Sequence, residues 1–177
     1  GYVYARDGQP LPPTQTLGRT VDCNHFQDAA AFLAGGGQRG RQRAVLREGV
    51  FAVNLALFVV ITEDVVLCGP IREQNEEKYR DWQNQLRAIG GFEPTEAEVA
   101  PAPTGGEMRL GATDTIGVVT VHDGPPIETG EVIAPEVRAA GSDGHQYFQD
   151  IEAFLALGGK RGKQLQVLTG RTFFLKR

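Results

Sequence analysis

The stretch Phe26–Asn54, FQDAAAFLAGGGQRGRQRAVLREGVFAVN, returns as Phe148–Lys176, FQDIEAFLALGGKRGKQLQVLTGRTFFLK, displaced by 122 positions without a gap. Fifteen of the 29 aligned pairs are identical, and self-similarity at a fixed displacement marks a duplicated structural unit. The pairing extends upstream, where YVYARDG at 2–8 answers to VVTVHDG at 118–124 with a displacement of 116. The six additional residues of the second copy lie between Val137 and Tyr147, in the polar loop RAAGSDGHQ. Loops are where insertions are tolerated.

Working outward, each copy predicts the same order of elements. YVYA and VVTV read as strands ending in an Asp-Gly turn. Phe26, Ala29, Ala30 and Leu33, and in the second copy Phe148, Ile151 and Leu155, fall at spacings of three and four, which predicts a short amphipathic helix from Phe26 to Ala34 with Asn24 as its N-cap. Gly35–Gly37 and Gly158–Gly159 stop these helices, because glycine accepts the left-handed conformation at a helix C-terminus. Gln42–Arg47 with Val50–Asn54, and Leu57–Thr62 with Val65–Leu67, read as strand pairs.

Ile71–Ile89 is the one long helix, with Tyr79, Trp82, Leu86 and Ile89 as its apolar stripe. Gly90-Gly91 ends it. Glu93–Thr113, rich in Pro, Ala, Glu and Gly, reads as linker. The fold class expected is therefore α+β and strand-rich, made of tandem duplicated small β-barrel-like units, each with one short helix, plus one longer connecting helix. The segments are 1–70 (first repeat), 71–112 (long helix and linker) and 113–177 (second repeat). An opening directly in a strand, without a Met, suggests a piece of a longer protein.

Composition narrows the classes. A net charge of −4 and pI near 5.4 argue against nucleic acid as the partner. The longest apolar run, Leu55–Ile61, falls far short of the roughly 18–20 residues that cross a bilayer. Two cysteines, Cys23 and Cys68, read as reduced buried thiols rather than a disulfide framework.

The best candidate for chemistry is the loop GGGQRGRQ, repeated as GGKRGKQ. Its glycines with Arg39, Arg41, Arg161 and Lys163 present a weak anion- or partner-binding site. It is not a phosphate loop, since three residues separate Gly158 from Gly162, Gln164 follows Lys163, and the loop follows a helix instead of opening one. His122-Asp123 reads as turn chemistry because its counterpart is Arg6-Asp7. Cys23 and His25 lack a second pair at ligand spacing, and Ser142 lacks a nucleophile-elbow context. Phe32, Phe51, Phe154 and Phe173 read as core. No catalytic residue, metal site or cofactor is expected.

RTVDCNHFQDAAAFLAGGGQRGRQRAVLREGVFAVNLALFVV (19–60) resembles the N-terminal part of bacterial flotillin-like proteins of the SPFH, or band 7, superfamily. DTIGVVTVHDGPPIETGEVIAP with FQDIEAFLALGGKRGKQ and VLTGRTFFLKR is similar to the next segment of the same proteins. FQD, AFL, GGQRG and LREG(V/T)(F/Y)xxN, in that order, carry the resemblance, which spans the chain apart from Ile71–Ala112. It implies a non-enzymatic extramembrane module of a membrane-associated scaffold that organises membrane microdomains. The implied partners are other membrane proteins and self-association in the parent, with the cytoplasmic face favoured, and the basic loops add anionic lipid headgroups as a further candidate partner. The alternative is a small-molecule-binding or enzymatic domain with a site between the two repeats.

Overall fold

A computed structural model describes residues 1–69, 73–93, 96–98, 116–137, 144–169 and 172–174. The chain is α+β and divides into two compact units, Gly1–Glu93 and Pro94–Arg177. In the first unit the elements are β1 (Tyr2–Ala5), α1 (Ala29–Ala34), β2 (Gly40–Val45), β3 (Phe58–Ile61), β4 (Val66–Leu67) and α2 (Glu73–Ala88). The second contains β5 (Glu96–Glu98), β6 (Ile116–Val121), α3 (Ile151–Ala156), β7 (Gly162–Thr169) and β8 (Thr172–Phe174).

The first unit is built on an antiparallel sheet in the order β2-β1-β3-β4. Alternation along a strand sends successive side chains to opposite faces. Val3, Ala5, Phe58 and Val60 accordingly join Cys23, Phe26, Phe32 and Leu46 on one face. Val59 and Ile61 meet Tyr79, Trp82 and Leu86 of α2 on the other, with Tyr2 and Tyr4 beside them. β3 is buried along its whole length, which explains its unbroken FVVI.

In the second unit β6 pairs with β7, and β5 with β8. Val119, Val121 and Leu168 pack on Phe148 and Phe154. The β1–β2 register, Tyr2 opposite Val45 and Tyr4 opposite Arg41 around an irregularity, recurs as Val118 opposite Val167 and Thr120 opposite Lys163.

The short helices begin later than their apolar spacing suggests. Asp28 and Asp150 are the N-caps: Asp28 Oδ1 accepts from the Ala31 N–H at 2.8 Å, and Asp150 Oδ1 from the Ala153 N–H at 3.0 Å. Asn24 is not the cap, because Asn24, His25 and Phe26 all have positive φ (49°, 53° and 64°), as do Gln146, Tyr147 and Phe148 (49°, 54° and 66°). A left-handed residue of this kind costs roughly 1–2 kcal/mol. Three in a row persist because the turn is tied down at both ends.

The Asp28 N–H reaches the Cys23 carbonyl at 3.0 Å, and the Asp150 N–H that of His145 at 3.1 Å. The side chain at that same position takes the third residue's amide: Cys23 bonds the Phe26 N–H, and His145 Nδ1 accepts the Phe148 N–H at 2.9 Å. An amide only donates, so Nδ1 is unprotonated and Nε2 carries the hydrogen, which it gives to the Val137 carbonyl at 3.0 Å. That bond spans the inserted loop. Because Phe26 precedes the helix, the buried face of α1 is Phe32 and not Leu33, which is 45% exposed.

Both helices close in the same way. Gly36 donates to the Leu33 carbonyl and Gly37 to that of Phe32, as Gly158 and Gly159 do to Leu155 and Phe154, giving the paired bonds of a Schellman motif. The two glycines are required for different reasons. Gly36 and Gly158 have φ of 74° and 88°. A Cβ at Gly37 or Gly159 would lie 2.4 or 2.3 Å from the ring of Phe32 or Phe154, both fully buried.

Other expectations shift. Val50–Asn54 is not a strand, and Val50 is wholly exposed: the chain leaves the sheet after β2 and turns back with Phe51 and Val53 against the core. Ile89 lies beyond the end of α2 and is 61% exposed. The helix ends in its own Schellman pair, Gly90 to Arg87 and Gly91 to Leu86, and the Tyr2 hydroxyl donates to the Gly91 carbonyl. α2 thus belongs to the first unit.

The expected linker contributes β5, whose backbone pairs with β8. Its later part, residues 99–113, lies outside the described residues, as do Ser142, Gly170 and Lys176. No β2–β4 pairing closes the sheet among the described residues.

The two glycine requirements separate by mutation. Gly158, with nothing within 4 Å of an added Cβ, loses only the left-handed preference, so Gly158→Ala costs roughly 1–2 kcal/mol and Gly158→Asn less. Gly159→Ala overpacks the Phe154 ring and costs about 1–3 kcal/mol, part of which Phe154→Leu restores. Hydrogen exchange of β6 and β7 amides in urea reads both; equal losses for Ala and Asn at 158 would contradict the φ assignment.

Candidate functional site

The glycine-basic loops begin at the Schellman closures, and the backbone amides of 35–37 and 39, and of 157–159 and 161, are already committed. In the first unit Gly35, Gly36 and Gly37 donate into α1, and the Arg39 N–H donates to the Gln9 carbonyl at 2.9 Å. In the second, Leu157, Gly158 and Gly159 donate into α3, and the Arg161 N–H donates to the Pro125 carbonyl at 2.8 Å. An anion nest needs successive amides pointing outward. Here any attraction for an anion rests on side chains.

A buried glutamine holds each loop from beneath. Gln42 Nε2 donates to the carbonyls of Gln38 and Gly40 at 2.7 and 2.9 Å, and Gln164 Nε2 to those of Lys160 and Gly162 at 2.8 Å each. The carbonyls of the turn are thereby satisfied at bonds that are buried at Gln38 and partly buried at Gly40, Lys160 and Gly162. The far edge of β2 is covered by the preceding loop, whose Gly18 bonds Arg41 and Arg43, while Ala134 does the same to Lys163 and Leu165 in β7.

The covering loop is pinned by different chemistry in the two units. In the first, Gln15 Nε2 donates to Gln38 Oε1 at 2.8 Å, and the Arg19 guanidinium donates to the carbonyls of Gly35 and Gly36, where a cation complements the helix C-terminus. In the second, Lys160 stands at the position of Gln38 and bonds Glu128 at 2.9 Å, with Glu131 at 3.6 Å. The Lys160 hydrogen bond, then its charge, holds the Glu128 carboxyl below its ordinary value, and the same bond raises Lys160.

The four basic residues expected to act together do not share one role. Arg39 is exposed at the mouth of β2. Arg41 lies with its guanidinium 4.4 Å from the Trp82 ring centroid, a cation–π contact that seats α2 on the sheet. An open groove of 360 Å³ there is lined by Arg41, Glu77, Lys78, Asp81, Trp82 and Gln85. Arg161 is half-buried, and Lys163, the counterpart of Arg41, is exposed.

Asp7 and Asp123 accept from the amides of Gly8 and Gly124 at 2.7 and 2.9 Å, which is turn chemistry. Cys23 and Cys68 are free. Burial pushes the Cys23 thiol up despite the Phe26 amide, so Cys23 is a poor thiolate. Among the described residues no three of His, Cys, Asp and Glu gather as a metal site would require, and no helix is long and apolar enough to cross a membrane.

Sequence reasoning missed Arg19, Gln38, Lys160 and the Arg41–Trp82 contact, whose partners lie far apart in the chain. Gln42 and Gln164 carried a signal in their identity across the repeat. No family model, curated protein or solved structure matches the chain.

Two measurements test these roles. Arg41→Ala removes a cation–π contact of about 0.5–1 kcal/mol and shifts Trp82 emission, whereas Arg39→Ala leaves the emission unchanged; identical spectra for both variants would refute the seating role. Lowered Glu128 contributes stability that is present above the ordinary carboxylate pKa and lost as pH falls through its folded value, while raised Lys160 contributes below the ordinary lysine pKa and loses it as pH rises through its folded value. The amides of 127–134 therefore exchange faster in acid after correction for intrinsic rates. The amides of 9–18, pinned by neutral glutamines, show no matching step, and Lys160→Met abolishes that of the second unit.

Proposed function

We propose that this chain is a non-enzymatic extramembrane module of a membrane-associated, flotillin-like scaffold, acting through protein contacts and through basic side chains set near anionic headgroups. The observation that carries this reading is the division of labour within the repeat. Phe32 and Phe154, the paired glycines, Gln42 and Gln164, and Asp28 and Asp150 are all occupied in building the fold. What both loops turn outward is positive charge, at Arg39 in one and at Lys163 and the half-buried Arg161 in the other.

The finer architecture belongs to the same reading: two copies of one small barrel-like unit. Support comes from the loop strands that bridge to the outer edge of β2 and β7 at Gly18 and Ala134, where an otherwise open edge is covered. Cationic residues held on a rigid rim attract an anionic surface without a chemical step, each contributing about 1 kcal/mol near the membrane. Self-association and contacts with other membrane proteins would complete the scaffold role in the parent.

Sedimentation with vesicles containing phosphatidylserine tests the lipid part. Binding is expected to weaken steeply with salt, and the triple change of Arg39, Arg161 and Lys163 to Ala to lower it by about a hundredfold, from about 1 kcal/mol per charge. Binding that ignores both salt and the triple change would sink the headgroup contact, while leaving the protein-contact reading to be judged on its own partners.

A further inference from the structure

In the first unit the sheet face carrying Tyr2, Tyr4 and Arg41 is roofed by α2, through Tyr79, Trp82 and Leu86. The equivalent face of the second unit carries Val118, Thr120 and Lys163 in the same register, and it is open: Ile116, Val118, Leu165 and Val167 are 55%, 64%, 60% and 38% exposed. Four apolar side chains on one face of one two-stranded ribbon are not the scattered surface residues of an ordinary monomer.

We infer that this face of β6 and β7 is a docking surface for an amphipathic helix of the α2 pattern, supplied by a partner protein. The first unit shows what chemistry fits. Tyr79, Trp82 and Leu86, at spacings of three and four, lie along the strands, with the Tyr4–Tyr79 ring centroids 5.2 Å apart. Trp82 stands over the cation of β2, and Glu77 and Asp81 line the groove beside it. Lys163 is the exposed cation at that position in the second unit, so charge as well as shape selects the occupant: an aromatic or leucine stripe flanked by carboxylates on the Lys163 side. An amphipathic helix that lays its apolar face on a hydrophobic surface is recognised through anchors at such spacings. The inference does not depend on the membrane reading, because the contact forms in solution.

The test uses the whole 177-residue chain, methyl-labelled, titrated with a side-chain-stapled peptide of residues 73–92, which carries the required pattern in helical form. The place for this helix in the first unit is already filled by α2. The expected result is saturable shifts confined to the Ile116, Val118, Leu165 and Val167 methyls. Val118→Asp should remove binding and Lys163→Glu weaken it tenfold or more, and a peptide with Trp82 and Leu86 changed to Ala should fail to bind. Both positions on the chain are exposed, and unchanged hydrogen exchange of β6 and β7 certifies that the variants fold.

Absence of shifts at millimolar peptide overturns the proposal. So does a concentration-dependent dimer that Val118→Asp dissolves without peptide, which would assign the face to a second copy. Vesicle binding that Val118→Asp abolishes and salt leaves intact would assign it to lipid instead, and the headgroup reading would be judged separately by its salt dependence.

Discussion

The constraint on which both units depend is the contact of a phenylalanine ring with a glycine five residues later. Phe32 lies where a side chain at Gly37 would begin, and Phe154 does the same to Gly159. The ring is fully buried, and its own carbonyl accepts the amide of that glycine, so one residue pair fixes the core, the end of the helix and the direction of the departing chain together. The strand that follows starts only three residues on, at Gly40 or Gly162. A larger residue at the glycine would push the ring outward and take the first residues of β2 or β7 with it. This explains why the repeated sequence is densest in identity from the phenylalanine to the glutamine of the loop.

Around that fixed point the units satisfy equivalent demands with different atoms. A cysteine in one and a histidine in the other accept the amide that closes the left-handed turn. Glutamine facing glutamine becomes lysine facing two glutamates. An amide pair keeps its geometry across the pH range, whereas an exposed ion pair contributes little and is weakened by salt and by titration. Pro125 in place of Gln9 shows the same tolerance: the carbonyl that receives the Arg161 amide is kept, and the amide that donates to Gly37 in the first unit has no counterpart in a proline. At these positions the duplication retains the pattern of donors and acceptors that the backbone must have while the residues that provide them change, whereas Asp28 and Asp150, and Gln42 and Gln164, keep both.

This also marks how far the fold was legible. Period-two and period-three-or-four spacing located β1, β6 and α2, because burial on one face leaves a direct imprint on the order of residues, and β3 was legible as the unbroken apolar run of a strand buried on both faces. The glycines that end the helices were legible for the same kind of reason, since few other residues accept their φ. The start of α1 was not. Asn24, His25 and Phe26 carry no glycine to announce a left-handed turn, and Phe26 falls at helical spacing from Ala29 although it is not on the helix. Its ring is buried against Phe32 and Phe58 by the turn itself, so a tertiary contact imitates a helical period. At the loop, spacing identified the right residues but assigned four cations one role; Arg41 turned out to depend on Trp82, forty-one residues away, a pairing no local pattern encodes.

The partition of polar groups bears on what such a module can do. Each loop spends its amides on helix closure and on the covering segment, and its carbonyls on a buried glutamine, so the backbone retains little with which to hold a small anion in a defined geometry. Charge carried on flexible arginine and lysine stems discriminates by field and not by fit, which suits an extended anionic surface or an acidic protein face better than a single small molecule. Under the scaffold reading proposed above, a rigid frame that carries its charge on side chains at the rim is suited to adhesion, because attraction to an extended surface needs no fixed geometry around one reacting atom.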